Sequence, residues 1–520
     1  MADNPYLGHL KQALPRLLSL FDGDRTSDSH GVGDRLRWAW GLIDFGNATY
    51  QGAAHGLARL WSCGMWPYAT APDTFFARID AMFDGARRLT RSDGSLEEAF
   101  PFEGSFCVTA LVAFDLLCAL QLLKKEIPAE TERRWQSIIE PWIQYLMDAD
   151  EAHAVISNHL ATAASALARW HALTGDEGSL RKARELTDRI LAHQSKEGWF
   201  REYDGADPGY QSLCTYYLAD LHAQRPDWQL YEPLRRSIAF LWHFAHPDGS
   251  FGGVYGSRCT RFYFPAGLEA LAREIPEAAA LARFMRESIR HDRVVTLSCM
   301  DDSNLVPMLN AYCVAAQHGG EELAPGDDCV LPALRARPAR VHFAQAGLWL
   351  DAGPRHYTVI GTHVGGVVMH FVDGRLMLVD AGVVVRDARG RMGSSQALDV
   401  RNRCQVDGDD LVVEACIRSM PRRLPTPMQF LLLRLLCVTA FRWRGPREWV
   451  KRRLVAALIS PQNPWPAANV RRIHLGAELS IDDRSELPAG YRRLATSGAF
   501  VSIHMASQGY WQRQDEASSR

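Results

Sequence analysis

DGSLEEAF (93–100), EGWFREY (197–203) and DGSFGGVY (248–255) are three versions of one turn, and their spacing decides the fold. Each opens on an acidic residue and a glycine, carries aromatic residues, and is followed by a Gly and then a Cys, at Gly104/Cys107, Gly209/Cys214 and Gly256/Cys259. Asp, Gly and Ser favour turns because Asp and Ser bond their own backbone and Gly tolerates positive φ. Apolar residues recur at helical spacing between these turns. Related acidic turns begin at Asp44, Asp148 and Asp301, so successive starts lie 49, 55, 49, 51 and 53 residues apart. A period near fifty is longer than that of common helical solenoids. It suits two helices and one functional loop. Six such hairpins can close into an (α/α) toroid or stop short as an incomplete one, and an open helical stack is the alternative. Closure predicts that turns 93–107, 148–159, 197–214 and 248–259 share one face, so that Asn158, His159, Tyr210, Tyr255 and Arg258 converge.

The third turn runs into AHAVISNHLATAASALARW (152–170), where Ser157-Asn158-His159 precede an apolar helix. Asn donates hydrogen bonds without charge, and His moves protons near neutral pH. A helix N-terminus also favours an anion. Taken alone, the pair also fits a plain helix cap and a surface histidine, because Asn is a preferred cap.

With 520 residues, two or three domains are expected. A hydrophobic content of 47%, a charged content of 23% and a net charge of −2 describe a globular chain with no electrostatic case for nucleic acid. The 11 cysteines form no C-x-x-C pair or zinc-like spacing, and Cys107, Cys214 and Cys259 fall where a thiol acts as a small apolar residue. His243 and His246 lack an acidic co-ligand, so no metal and no cofactor is expected. The N-terminus, MADNPYLGHLKQALPRLL, lacks the parts of a signal peptide, which predicts a cytoplasmic protein, membrane-peripheral at most.

After residue 325 the pattern changes. A linker over 326–340 leads from the helical domain (1–325) to an antiparallel β-sandwich domain (341–520). VHFAQAGLWL, RHYTVIG, GGVVMHFV and RLMLVDAGVVV alternate as strands do, and Asp373-Gly374 is a hairpin turn. QVDGDDLVVEACIRSM, RRIHLGAEL and AFVSIHMAS supply further strands. A helical insertion near 427–460 breaks this pattern, apolar at first and then basic and aromatic. It reads as a helix packed on the sheet or as an interfacial contact with a membrane or a partner.

A helical toroid followed by a β-sandwich, with Asn158-His159 on an inner helix, resembles the heparinase II/III-like family of polysaccharide lyases. The resemblance rests on four short patches: Asn158-His159, Tyr210 in GADPGYQSLCTYY, the DGSF-type turn, and GTHVGGVVMHFVDGRLMLVDAGVVV with His363, Gly374, Asp380 and Gly382. The family often carries an acid two places after the β-domain His, and Gly365 stands there instead. The resemblance implies cleavage of a uronic-acid polymer by β-elimination, so the expected partner is an acidic polysaccharide. Asn158 would hold the substrate carboxylate, Tyr210 would be the acid or both acid and base, and His159 or His363 would be the other proton carrier. Arg258, Tyr255, Gln211 and Trp199 are the candidates for substrate binding. A uronate C5-epimerase, an (α/α) glycoside hydrolase using Asp93, Asp207 or Asp248, and a glycan-binding or assembly protein remain alternatives.

Overall fold

The computed structural model describes residues 4–151, 155–323, 329–335, 337–420, 426–443, 445–450, 453, 464–495 and 509–510. Helices come first and two antiparallel sheets follow. In chain order the helices are α1 (Pro5–Leu18), α2 (Arg35–Trp38), α3 (Ala53–Ser62), α4 (Pro72–Leu89), α5 (Phe106–Leu123), α6 (Ala129–Asp148), α7 (Ser157–Thr174), α8 (Glu177–Ala192), α9 (Pro208–Gln224), α10 (Tyr231–Leu241), α11 (Ala266–Leu271), α12 (Pro276–Arg290), α13 (Asp302–Ala316) and α14 (Pro427–Val438).

Composition sorts these helices into two layers. α5, α7, α9 and α13 are apolar or small on all sides, as a helix with no solvent face must be. α5 is long and apolar enough to cross a bilayer, yet its residues are mostly buried inside the protein. α4, α6, α8, α10 and α12 each carry one apolar stripe and keep a polar face outside. The inner helices pack in a cycle: α3 on α5, α5 on α7, α7 on α9, α9 on α11, α11 on α13, and α13 back on α3.

The last of these contacts closes the ring, and a small residue makes it possible. A Cβ at Gly56 would lie 2.6 Å from Asn310 Oδ1. With glycine there, the Gly56 N–H donates to Asn310 Oδ1 at 3.1 Å and Asn310 Nδ2 donates to the Gly52 carbonyl at 2.9 Å. Asn310→Ala would leave two buried backbone groups without their partner, each costing about 1–3 kcal/mol. We expect a lower thermal unfolding midpoint with little change in the far-ultraviolet circular dichroism of the folded state.

The first sheet is β1 (Ala339–Phe343), β2 (Leu348–Ala352), β3 (His356–Gly361), β4 (Val367–Val372) and β5 (Arg375–Asp380), in that order and antiparallel throughout. β1 therefore starts inside the segment expected to be linker. Asp373 and Gly374, both with positive φ, make the tight β4–β5 turn. The second sheet is built from β6 (Val384–Arg386), β7 (Met392–Ser394), β8 (Arg403–Asp407), β9 (Asp410–Ser419), β10 (Pro464–His474), β11 (Ser480–Glu486) and β12 (Arg492–Arg493). Its order is β11-β10-β9-β7-β6-β12, with β8 paired to β9. The strand expected at AFVSIHMAS lies outside the described residues.

Alternation on β2–β4 gives the first sheet two buried faces. Leu350, Val359, Met369 and Phe371 pack against Phe240, Phe244, Val254 and Tyr255 of the helical region. On the opposite face Ile360 and Val368 meet Leu411, Val413 and Ile473 of the second sheet. The buried Arg471 joins the two sheets, bonding Asp483 Oδ1 at 2.8 Å, Asp380 Oδ1 at 2.6 Å and the Gly366 carbonyl at 3.0 Å.

Candidate active site

The polar turns meet in one cavity at an end of the inner ring. Its lining takes Glu98, Glu103, Ser105 and Cys107 from the second turn and Glu151, Asn158 and His159 from the third. Tyr203 and Tyr210 come from the fourth turn and Arg258 from the fifth, with Thr49, Ser303 and Asn304 completing the wall. Residues scattered over more than two hundred and fifty positions thus line one space.

Local backbone requirements explain the placement. Asp207 caps α9 by accepting from the Tyr210 N–H at 3.2 Å, and the same carboxylate accepts from the Arg258 N–H at 2.9 Å. Tyr210 and Arg258 are thereby fixed to one anchor. Tyr203 has φ +58, a strained value for a side chain of this size, and its N–H donates to the Val155 carbonyl. Bridges from Glu202 to Ile156 and Gly205 hold the strained turn against the start of α7. Ile156 stands at the cap position of α7, so Asn158 lies one residue inside the helix rather than capping it.

Within the cavity wall the side chains form a connected network. Asn158 Nδ2 donates to Glu202 Oε2 at 2.8 Å, and Arg258 Nη1 donates to Glu202 Oε1 at 3.1 Å. Arg258 Nη2 donates to the Tyr210 hydroxyl oxygen at 3.1 Å, and its guanidinium lies 4.2 Å from the Tyr210 ring centroid. Burial pushes the Glu202 carboxyl above the ordinary range, against the pull of Arg258, His159 and Asn158. His159 Nδ1 sits 2.8 Å from Glu151 Oε2. Burial disfavours the imidazolium there, but Cys107 and the Glu151 carboxylate outweigh it and raise the pKa well above 6.5. The adjoining Cys107 thiol is pushed up by its own burial. The Glu151 carboxylate thus favours the protonated form of the His159 imidazole.

That shift has a sign that can be measured. A folded pKa above the unfolded one stabilises the protein below the unfolded value, about 6.5. The contribution is lost as pH rises through the folded value. Glu151→Gln should remove the part of the elevation that the carboxylate supplies. We expect the parent's stability advantage over the variant to be full below about pH 6 and to shrink with rising pH, read from thermal midpoints across a pH series.

Four of the residues expected from the sequence do not line this cavity. His363 follows β3 beside Gly347 and under the influence of Glu197, and burial lowers its pKa. Tyr255 is buried in the contact between helices and sheet, its hydroxyl 2.8 Å from His246 Nε2. Gln211 turns away and donates to Ser237 Oγ at 2.8 Å. Trp199 packs in the same contact as Tyr255 and donates to Glu197 Oε2 at 3.0 Å. The carboxylates Asp93 and Asp248 are turn-formers that accept from Ser95 and Ser250, and Asp207 is the cap of α9. A side chain at Gly365 would lie 2.2 Å from the Ser395 carbonyl oxygen, so no acid fits there.

Conversely, Glu98, Glu103, Glu151 and Tyr203 line the cavity and Glu202 bonds its wall residues Asn158 and Arg258, and sequence reasoning passed over all five. All sit in or beside the recognised turns, where acidic residues are expected for solvation alone. The near-constant position of a Glu within DGSLEEAF and EGWFREY was the available signal. Among the described residues no cluster of metal-ligating side chains is present.

No protein-family model and no curated protein matches this sequence. Solved structures do. The chain is similar to Streptomyces coelicolor A3 chondroitin AC lyase in complex with chondroitin sulphate, at 12% identity and TM-score 0.52, over 81% of this chain and 64% of that one. It is also similar to Paenibacillus xanthan lyase (11%, TM-score 0.48, 80% and 45%) and to heparinase III (12%, TM-score 0.41, 79% and 73%). The chain thus spans about half to two thirds of the first two proteins. At this identity the likeness is one of fold, and the fold is that of the chondroitin AC lyase.

Proposed function

We propose that this chain is a carbohydrate-active enzyme with an (α/α) toroid and a β-sandwich, and that it cleaves a uronic-acid-containing polysaccharide by β-elimination. One observation carries the reading: Asn158, His159, Tyr210 and Arg258 meet at one cavity, with Arg258 donating to the Tyr210 hydroxyl. The fold shared with a lyase seen with chondroitin sulphate supports the substrate class.

Each chemical demand of the reaction has a residue type to meet it. Abstraction of the C5 proton builds negative charge on the uronate carboxyl, which preorganised donors must hold. Asn158 has a second N–H beyond the one given to Glu202. Tyr210 is the proton carrier. Its phenolic proton is released to solvent before the reaction, Arg258 stabilises the resulting phenolate oxygen, and that oxygen takes the C5 proton and passes the same proton to the leaving O4. His159, oriented by Glu151 at 2.8 Å on the same wall, is a second proton carrier for the leaving group.

Glu98, Glu103 and Glu151 on the same wall favour a second reading, an (α/α) glycoside hydrolase, because hydrolysis needs two carboxyl groups about one glycosidic bond. The products separate the two. Elimination leaves a C4–C5 double bond conjugated to the carboxylate, so absorbance in the near ultraviolet should rise as uronate polymers shorten. Shortening without that chromophore would establish the hydrolase, and C5 hydrogen exchange without shortening would establish an epimerase. Under elimination, Asn158→Ala should reduce turnover about 10²–10³-fold while leaving substrate affinity nearly intact. Equal turnover by parent and variant would remove Asn158 from the site.

A further inference from the structure

Exposed apolar side chains are concentrated on α14. Met428, Leu431, Leu432, Leu435 and Val438 recur at i, i+3, i+4, i+7 and i+10, the spacing of one helical face. That face points to solvent: exposure runs from 52% at Val438 to 71% at Met428. Phe430 beside it, and Trp443 and Trp449 just beyond, are half or more exposed as well. An amphipathic helix of a water-soluble domain turns such a stripe inward. Here the stripe is turned out.

The opposite side of the segment is firmly seated. Arg434 Nη2 lies 3.0 Å from Asp44 Oδ1, Cys437 and Phe441 are fully buried, and Phe441 meets Phe100 at 5.7 Å between ring centroids. Arg447, whose side chain is 2% exposed, donates to Asp93 Oδ2 at 2.9 Å. The helix is therefore held on the turns that surround the cavity, with its apolar face outward. Leu36, Trp40 and Leu42, in the stretch leading to Asp44, are exposed too.

Charge identifies the occupant. Residues 421–453 hold nine arginines and lysines against one acidic residue, Glu448, in a chain whose net charge is −2, and seven remain once the inward-paired Arg434 and Arg447 are set aside. Lysine and arginine flanking an apolar helix attract anionic headgroups, and their stems can lie along apolar surface with the charge outward. Tryptophan prefers the boundary between headgroups and acyl chains. A helix of 12 residues is too short to span a bilayer and suits lying in its surface. We propose that the outward face of α14, with Trp443 and Trp449, docks this protein on an anionic phospholipid membrane and holds the rim of its cavity at the lipid surface.

The full chain should co-float with vesicles containing phosphatidylglycerol and bind vesicles of phosphatidylcholine alone at least tenfold more weakly, the difference narrowing as salt is raised. The double variant Leu431→Asp/Leu435→Asp changes only exposed side chains and should lose at least tenfold in vesicle affinity with an unchanged thermal midpoint. If that variant fails to fold, tryptophan emission of the parent decides instead: a blue shift on vesicle addition and quenching by brominated acyl chains are expected. No binding to anionic vesicles by the parent, or unaltered binding by a folded variant, would overturn the proposal. So would a parent that is dimeric and indifferent to vesicles while the variant is monomeric, because the face would then belong to a second copy.

Discussion

Tyr210→Phe should lower turnover on a uronate polymer by roughly 10²–10⁴-fold, the range for loss of a positioned acid or base. The substitution removes one oxygen and keeps the ring, so the edge-on contact with Phe262 at 5.4 Å and the guanidinium over the ring face both persist. Folding and substrate affinity should therefore change little, and the loss should fall on kcat rather than KM. Measuring both by the appearance of unsaturated product gives the split. A variant with turnover within a few-fold of the parent would take the proton-transfer role away from Tyr210.

The second large effect is at Arg258, whose side chain is 3% exposed and pairs with an equally buried Glu202. Arg258→Met should destabilise the protein by about 3–5 kcal/mol, because one charge of a buried pair is left uncompensated. It should also cut turnover about 10²–10³-fold by removing the donor to the Tyr210 oxygen. These two losses can be separated. In the double variant Arg258→Met/Glu202→Gln no buried charge needs a partner, so a good part of the thermal midpoint should return while turnover stays low. Recovery of both together would mean that Arg258 matters only for folding, and recovery of neither would place the cost in packing.

The order of helices was legible because turn chemistry and helical periodicity are written locally. Asp-Gly-Ser turns recur where the chain reverses, and the fully apolar pattern of α5 against the one-sided pattern of α6 distinguishes inside from outside. Closure brings the turns to one face and accounts for the convergence of Asn158, His159, Tyr210 and Arg258, but it does not say which side chains of a turn face the cavity, and Tyr255 of the same set is buried against the sheet instead. The β-domain signature lies away from the cavity for a physical reason. Asp380 accepts from the Gly382 N–H at 2.8 Å and receives the buried Arg471, so these residues hold the sheets together, and the nearby His363 stays away from the cavity. Glu202 and Glu151 went unseen because a buried glutamate in a turn has the same letter as a solvated one. The same limit applies to α14: periodicity states that its leucines share a face, but whether that face looks in or out depends on what surrounds it.

The seam between α3 and α13 gives the protein a particular history during synthesis. Gly56 and Asn310 are 254 residues apart, so their contact forms only after nearly all of the helical region has left the ribosome. Until then each hairpin can pack on its predecessor, but the cavity wall lacks Ser303 and Asn304 and the first inner helix has one flank uncovered. The nascent chain therefore carries an exposed strip of alanine and leucine on α3 for as long as translation of the later repeats takes, a natural place for a chaperone to hold. The cavity wall would then be completed in one step, at ring closure, instead of growing with each added repeat.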